Sequence, residues 1–344
     1  GDALVSTISV ENVGVRTPDT VPGQYCRGPL QTAAVLTCVR EPPPKDAFRP
    51  AYVGAWREMF TAAQLRRNLL PGLPASETTP DVKQYERYLE RIWLDHQREW
   101  VNRMMHPLEN MPDYGREITN IVSDVGLLVL LEDPQHERET LLLRFVQKGI
   151  DYYGVVQSED NLWIGNGGHN SGRRLRLLCA GVLLAHDDMK HVRASFAEDE
   201  QTYFGRGYGG QKVLWTIDRS ESRRHEHLPP GAWDGPPFKG DNNGWKSEGY
   251  RRLNGPTWIG QALAARLLGA KAYWNHDAYF DYVDRWVAEA KDGTVDPKTL
   301  ASTGYDPFAG AGAFVQAMWQ AYRPKADEIG AETLRKAASH TPGP

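Results

Sequence analysis

"NLWIGNGGHNSGRRLRLLCAGVLL", residues 161–184, starts polar and glycine-rich and ends as an apolar run. The second half reads as a buried helix. A helix start needs only one capping side chain. Here glycines at 165, 167 and 168 are followed by His169, Asn170, Ser171 and the pair Arg173 and Arg174. Glycines let a backbone turn tightly and approach a ligand closely. A helix opening at Ser171, its expected N-cap, presents free N–H groups and the positive end of its dipole, a natural anion site. His169, Asn170 and Arg173 project beside it, and the set suits a carboxylate. The plainer alternative is a helix start whose polar side chains satisfy backbone groups. The glycine spacing is not that of a dinucleotide fingerprint, and no βαβ unit surrounds it.

The chain around this stretch is also helical in pattern. "DVKQYERYLERIWLDHQREWVNRMM" (81–105) places Tyr85, Tyr88, Leu89, Ile92, Trp100, Val101 and Met104 at helical spacings. Further helices are expected over about 116–132, 137–150, 171–190, 257–272, 276–291 and 311–322. Asn275 suits an N-cap, Pro256 a first helical turn, and Gly269 a helix end. No repeat of fixed length is visible, so the helices suggest a bundle or a toroid of antiparallel hairpins rather than a regular solenoid.

Before residue 40 the chain reads differently. "ALVSTISVENVGV" and "TAAVLTCVR" are rich in β-branched residues and predict one or two short strands. "REPPPKDAFRP" (40–50) then breaks the chain. We therefore divide it into an extended, β-containing segment over 1–49, packed on a helical catalytic domain over 50–344. The fold class is mainly α.

The bulk properties narrow the function. The 344 residues are 40% hydrophobic and 24% charged, and can bury one large core or two smaller ones. A net charge of −4 gives no general attraction for nucleic acid or an anionic membrane, and no apolar run is long enough to span a bilayer. Cys26 and Cys38 are either a disulfide or two separate thiols, while Cys179 lies in an apolar helix. A bridge would favour an exported protein.

Two more clusters carry chemistry. In "HPLENMPDYGRE" (106–117), expected at a rim between helices, Asn110, Asp113, Tyr114 and Arg116 are the polar candidates. They serve equally well as an interhelical turn with a cap and an ion pair. The irregular stretch 200–250 holds Trp215, Trp233 and Trp245 and is read as a binding loop. At its end, "GDNNGWKSEGYRRLNGPTW" (240–258) joins Trp245, a flat face for a sugar ring, to Lys246, Tyr250, Arg251 and Arg252. Cations beside a phenol favour the phenolate. His225 and His227 form a His-x-His pair, better suited to orienting substrate or moving a proton than to a metal, because no third ligand accompanies them.

Together, "NGGHNSGRR" opening a helix, Tyr250 with its arginines, and the C-terminal "FVQAMWQAY" resemble polysaccharide lyases of the alginate-lyase type over about residues 50–325. The resemblance implies an incomplete (α/α) toroid acting on an anionic, uronate-containing polysaccharide such as alginate or glucuronan, outside the cell or in the periplasm. It also implies no metal or organic cofactor. It assigns His169 and Asn170 to the substrate carboxylate and Tyr250 to proton transfer, and leaves the assisting arginine open among Arg173, Arg251 and Arg252. Asn110, Tyr114, Arg116, His225, His227, Trp245 and Lys246 are the accompanying substrate-binding candidates. A hydrolase using two of Asp113, Asp241 and Glu248 is one alternative; a carbohydrate-binding protein without turnover is another.

Overall fold

The computed structural model describes residues 2–9, 30–97, 100–158, 163–165, 167–207, 210–217, 247–292 and 306–339. About half of these are helical, and the rest include two small antiparallel sheets. Strands β1 (Ala3–Ser9) and β2 (Leu30–Thr37) pair with Val5 opposite Val35 and Leu4 opposite Leu36. The period of two puts the valines against the core and leaves both leucines exposed. β2 is tied to the body at its start, where Leu30 and Gln31 carbonyls accept from Leu108 and Glu109 N–H.

Helix α1 (Val82–Glu90) is capped by Asp81, whose carboxylate accepts from Lys83 N–H. It ends far short of the expected residue 105. Arg91 turns extended, and the Trp93 indole donates to the Tyr88 carbonyl at 2.8 Å, satisfying one of the orphan carbonyls of the last turn. The chain then runs inward through buried Asp95 before a 3-10 segment, Trp100–Met105. The long apolar stripe is thus two pieces with a carboxylate between them.

The remaining elements are α2 (Gly115–Leu128), α3 (Glu139–Ser158), α4 (Arg174–Leu183), short α5 (Asp187–Lys190) and α6 (Ala197–Glu200), and the hairpin β3 (Thr202–Phe204) with β4 (Val213–Trp215). After these come α7 (Ser247–Leu267), α8 (Lys271–Trp274), α9 (Asp277–Asp292), α10 (Ala313–Tyr322) and α11 (Ala326–Ser339). The last helix was not expected from the sequence. Among the described residues no helix is long and apolar enough to cross a membrane.

Contacts between particular residues fix the helix directions. The Ser123 hydroxyl donates to the Thr257 carbonyl, and further along Gly126 lies against Ala264, so α2 and α7 run parallel. Thr119 meets Gly172 and Gly126 meets Leu175, which brings α4 into the same sense. The intervening α3 runs back: Gly149 lies on Ala180 while Tyr152 stacks on Arg176. α9 returns along α7, with Trp286 against Gly255 and Tyr279 bonded to Gln261. The ends of α2, α4 and α7 at which each helix begins therefore face the same way. One core joins everything from Leu30 to Ala326.

Several local expectations are corrected. Helix α4 begins at Arg174, not at Ser171; Gly172 adopts φ +88°, and Ser171 Oγ instead accepts from the Trp258 indole at 3.3 Å. The run to 190 is broken at Ala185, left-handed at φ +56°. Helix α7 starts at Ser247, about ten residues early, and encloses Pro256. A proline costs a helix interior about 3 kcal/mol; here the packing of Tyr250 and Asn254 on the turn at Gly167 and Gly168 holds the turns before it. Asn275 closes α8 in the left-handed conformation and does not cap α9. Part of the expected 200–250 loop is the β3–β4 hairpin, with Trp215 buried. Of the cysteines, Cys38 is exposed and Cys179 buried; Cys26 lies outside the described residues.

Candidate functional site

The opening stretch of the sequence forms the junction of the parallel helices. Gly167 has φ +63°, and a Cβ there would lie 2.7 Å from the Tyr250 ring. At Gly168 a Cβ would fall 2.2 Å from Asn254 Oδ1. Both positions need glycine, one for its backbone angle and one for a close approach. The Gly167 carbonyl accepts from Asn254 Nδ2 at 2.7 Å and from Gln201 Nε2 at 2.5 Å. The turn at 167–172 is therefore clamped between α6 and α7, and the Tyr250 side chain lies directly against it.

The expected free anion site at the start of α4 is filled by the protein itself. Gly172 N–H donates to Glu198 Oε1 at 2.7 Å, and Gln261 donates to the same oxygen at 2.9 Å. Glu198 is wholly buried; burial raises its pKa against these two hydrogen bonds. An internal carboxylate thus answers the dipole of α4.

Behind the turn lies a buried polar network centred on Asp95. Arg173 reaches its two oxygens at 2.7 and 3.2 Å, Tyr152 donates at 2.6 Å, Asn102 Nδ2 at 3.0 Å, and His106 Nε2 lies at 3.3 Å. Burial would raise the Asp95 carboxyl, but the Arg173 charge and the His106 contact hold it well below the usual carboxylate range. An ionised Asp95 only accepts, so Asn102 must turn its amide nitrogen towards it. The Asn102 oxygen then faces His169 Nε2 at 2.7 Å, which places the His169 proton on Nε2 and the lone pair on Nδ1. Burial foremost, then the charges of Arg173 and His106, push the His169 pKa down to about 3. His169 is a neutral imidazole in one tautomer.

Tyr114, the residue preceding α2, places its ring 6.0 Å from the His169 ring. Its phenol pKa is raised, first by burial and then by the neighbouring Tyr250 and Glu117. Tyr114 and Tyr250 are both half-buried. The site accordingly presents one phenol, Tyr114, beside a neutral imidazole at the start of α2, and a second, Tyr250, against the turn at Gly167 at the start of α7. Phenols are groups that move protons.

The other candidates fall into place as follows. Asn170 is buried; its Nδ2 donates to the Ile164 carbonyl at 2.8 Å, and its Oδ1 has no hydrogen-bond partner among the described residues. Arg173 has no exposed surface and is engaged with Asp95 and the carbonyls of His169 and Ser171. Asn110 is drawn away from the site: it is buried and donates to the Tyr88 and Arg91 carbonyls, fastening the 106–113 loop to α1. Asp113 is buried in an ion pair with Arg103 at 2.5 Å. Arg116, half-buried beside Tyr114, pairs with Glu117. Arg251 is buried with its guanidinium 5.0 Å over the Trp286 ring, facing α9, and Arg252 is half-buried. His225, His227, Asp241, Trp245 and Lys246 lie outside the described residues, as does the side chain of Glu248.

Sequence reading missed Asp95, Asn102, His106 and Tyr152. One signal was present: Asp95 falls three residues after Ile92, on the apolar stripe of the 81–105 pattern, and a carboxylate there needs a buried partner. Among the described residues no group of three or more His, Cys, Asp or Glu gathers as a metal site. No protein-family model, curated protein or solved structure matches this chain.

Proposed function

We propose that this protein is a polysaccharide lyase that cleaves a uronate-containing polymer by β-elimination, on a helical body arranged as an incomplete (α/α) toroid. The helix directions support the architecture: α2, α4 and α7 run one way, and α3 and α9 return. The observation that carries the function is the Tyr250 ring set against Gly167, one residue from the Gly168–His169 peptide and beside Tyr114.

In the proposed reaction a uronate carboxylate is held at the turn at 167–172 by the second Nδ2 hydrogen of Asn170, while His169, its proton given to Asn102, orients the substrate as an acceptor. Hydrogen bonds to the carboxylate stabilise the negative charge that builds as the C5 proton leaves. Tyr250, acting as a phenolate, takes that proton. The electron pair of the broken C5–H bond becomes the C4=C5 double bond, the C4–O bond breaks with its pair going to oxygen, and the departing oxygen receives a proton from Tyr250 or a histidine. Arg173 acts through Asp95 and the His169 carbonyl, as a positioning residue.

The test is a panel of polymannuronate, polyguluronate, glucuronan and glycosaminoglycans, followed by the ultraviolet absorbance of the unsaturated product. We expect product from at least one polymer. None from any, with folded protein, overturns the proposal. A hydrolase would shorten the polymer without that absorbance.

A further inference from the structure

Away from this site, a cavity of about 260 Å³ opens between β2, the end of α1 and the middle of α3. Its polar lining is Arg49, Arg91, Arg144, Lys148, Gln147 and Glu90: four cations and one acid. Each cation is held in place from behind. Arg49 pairs with Asp151 at 2.6 Å, Arg91 with Glu109 at 3.1 Å, and Arg144 donates to the Glu86 carbonyl at 2.7 Å. Lys148 is the unusual member. It is 2% exposed, its ammonium donates to the Arg91 carbonyl, and among the described residues no ion pair holds it. Asp151, three residues along the same helix, is turned to Arg49 instead. A buried ammonium among three guanidinium groups is costly unless an opposite charge joins it.

The geometry points to this cavity as a binding site for a small organic anion, whose carboxylate, phosphate or sulfate oxygens sit among Lys148, Arg144, Arg91 and Arg49. Guanidinium groups suit such oxygens because they bind them through paired hydrogen bonds. The volume admits more than a bare oxyanion, and Ala33, Val35 and Ile92 supply an apolar wall for the body that carries it. This site does not depend on the lyase reading.

The groups facing Lys148 give the interaction a pH dependence. These are Asp151 and Arg144 on its own helix, Arg49 before α1, Arg91 and Glu90 at the end of α1, and Arg176 on α4. Burial foremost, then Arg49, Arg176 and Arg144, lower its pKa to about 7 against the pull of Asp151. An incoming anion favours the charged ammonium, so binding takes up a proton and weakens as pH rises above about 7.

Calorimetric titration of the full chain with sulfate, phosphate and glucuronate separately, at ionic strength matched with potassium chloride, tests this. We expect saturable binding of at least one; glucuronate alone would identify a sugar acid, sulfate or phosphate an ester-type ligand. Lys148→Met and Arg144→Gln should each weaken binding roughly tenfold or more, the worth of a charged hydrogen bond. Wild-type affinity should fall by up to about tenfold from pH 7 to pH 8. No saturable binding of any of the three, or unchanged affinity in both variants, overturns the inference. Because Arg144 is only partly buried, its variant keeps the test valid if Lys148→Met does not fold.

Discussion

Replacing Tyr250 by Phe removes one oxygen and keeps the ring edge that packs on Gly167. If Tyr250 moves the C5 proton, Tyr250→Phe should lower kcat by roughly 10²–10⁴-fold, the range of general acid–base catalysis, while the thermal midpoint stays put. Activity near wild type would remove Tyr250 from the reaction. Asp95→Asn asks a different question. It preserves shape but leaves the Arg173 guanidinium buried without its counter-charge. Breaking a buried pair in this way costs about 3–5 kcal/mol, to be read from denaturant unfolding; a loss under about 1 kcal/mol would show that Asp95 is not the anchor of the network. Legibility differed between these two residues for a physical reason. Tyr250 announced itself through neighbours in sequence, Trp245 to Arg252. Asp95 draws its charged partner, Arg173, and its phenol, Tyr152, from 78 and 57 positions away, so its place on the apolar stripe shows that a partner is needed without showing which.

Between elements, α1 and α2 meet through a polar contact that makes stability depend on pH. The Tyr85 hydroxyl donates to Asp124 at 2.6 Å, and burial raises the Asp124 pKa to about 7 despite that hydrogen bond. The folded state therefore favours the protonated acid. Its contribution is fully present below the unfolded pKa near 3.8 and is lost as pH rises through about 7. Since one pKa unit is about 1.4 kcal/mol, the loss can reach ~4 kcal/mol. Asp124→Asn should flatten the stability profile between about pH 4 and 7 and raise the thermal midpoint at pH 8; an unchanged profile would rule out this origin. At the end of α4, exposed Ala185 sits at φ +56°, where a Cβ costs roughly 1–2 kcal/mol. Ala185→Gly should recover up to about 1 kcal/mol of this, measured as a higher denaturation midpoint. Helices with clean apolar patterns, such as α9 with buried Tyr279, Phe280, Tyr282 and Trp286, were readable. The start of α7 was not, because Pro256 signals a boundary locally while Tyr250 and Asn254 are held by residues about 83 to 87 positions earlier.

At the scale of the whole molecule, the core runs unbroken from Leu30 on β2 to Ala326 on α11. The N-terminal segment shares it through Leu30, Ala33 and Phe48. Unfolding followed by tryptophan fluorescence and by far-ultraviolet circular dichroism should then give coincident transitions; an early, separate loss of β signal would make residues 1–49 an independent unit. The helical content and the glycine-rich turn ahead of α4 were legible, since both rest on periodicity and on glycine placement. The convergence of α2, α4 and α7 was not, because the sequence does not display which helices run parallel. The locked tautomer of His169 has a consequence for how such a protein would respond to its surroundings. With its pKa about 3, the imidazole carries the same charge in mildly acidic as in neutral water. Acidification through that range would leave its hydrogen-bonding role unchanged and act first on Asp124 and Lys148, both near 7, so rigidity and ligand occupancy would respond before this part of the chemistry.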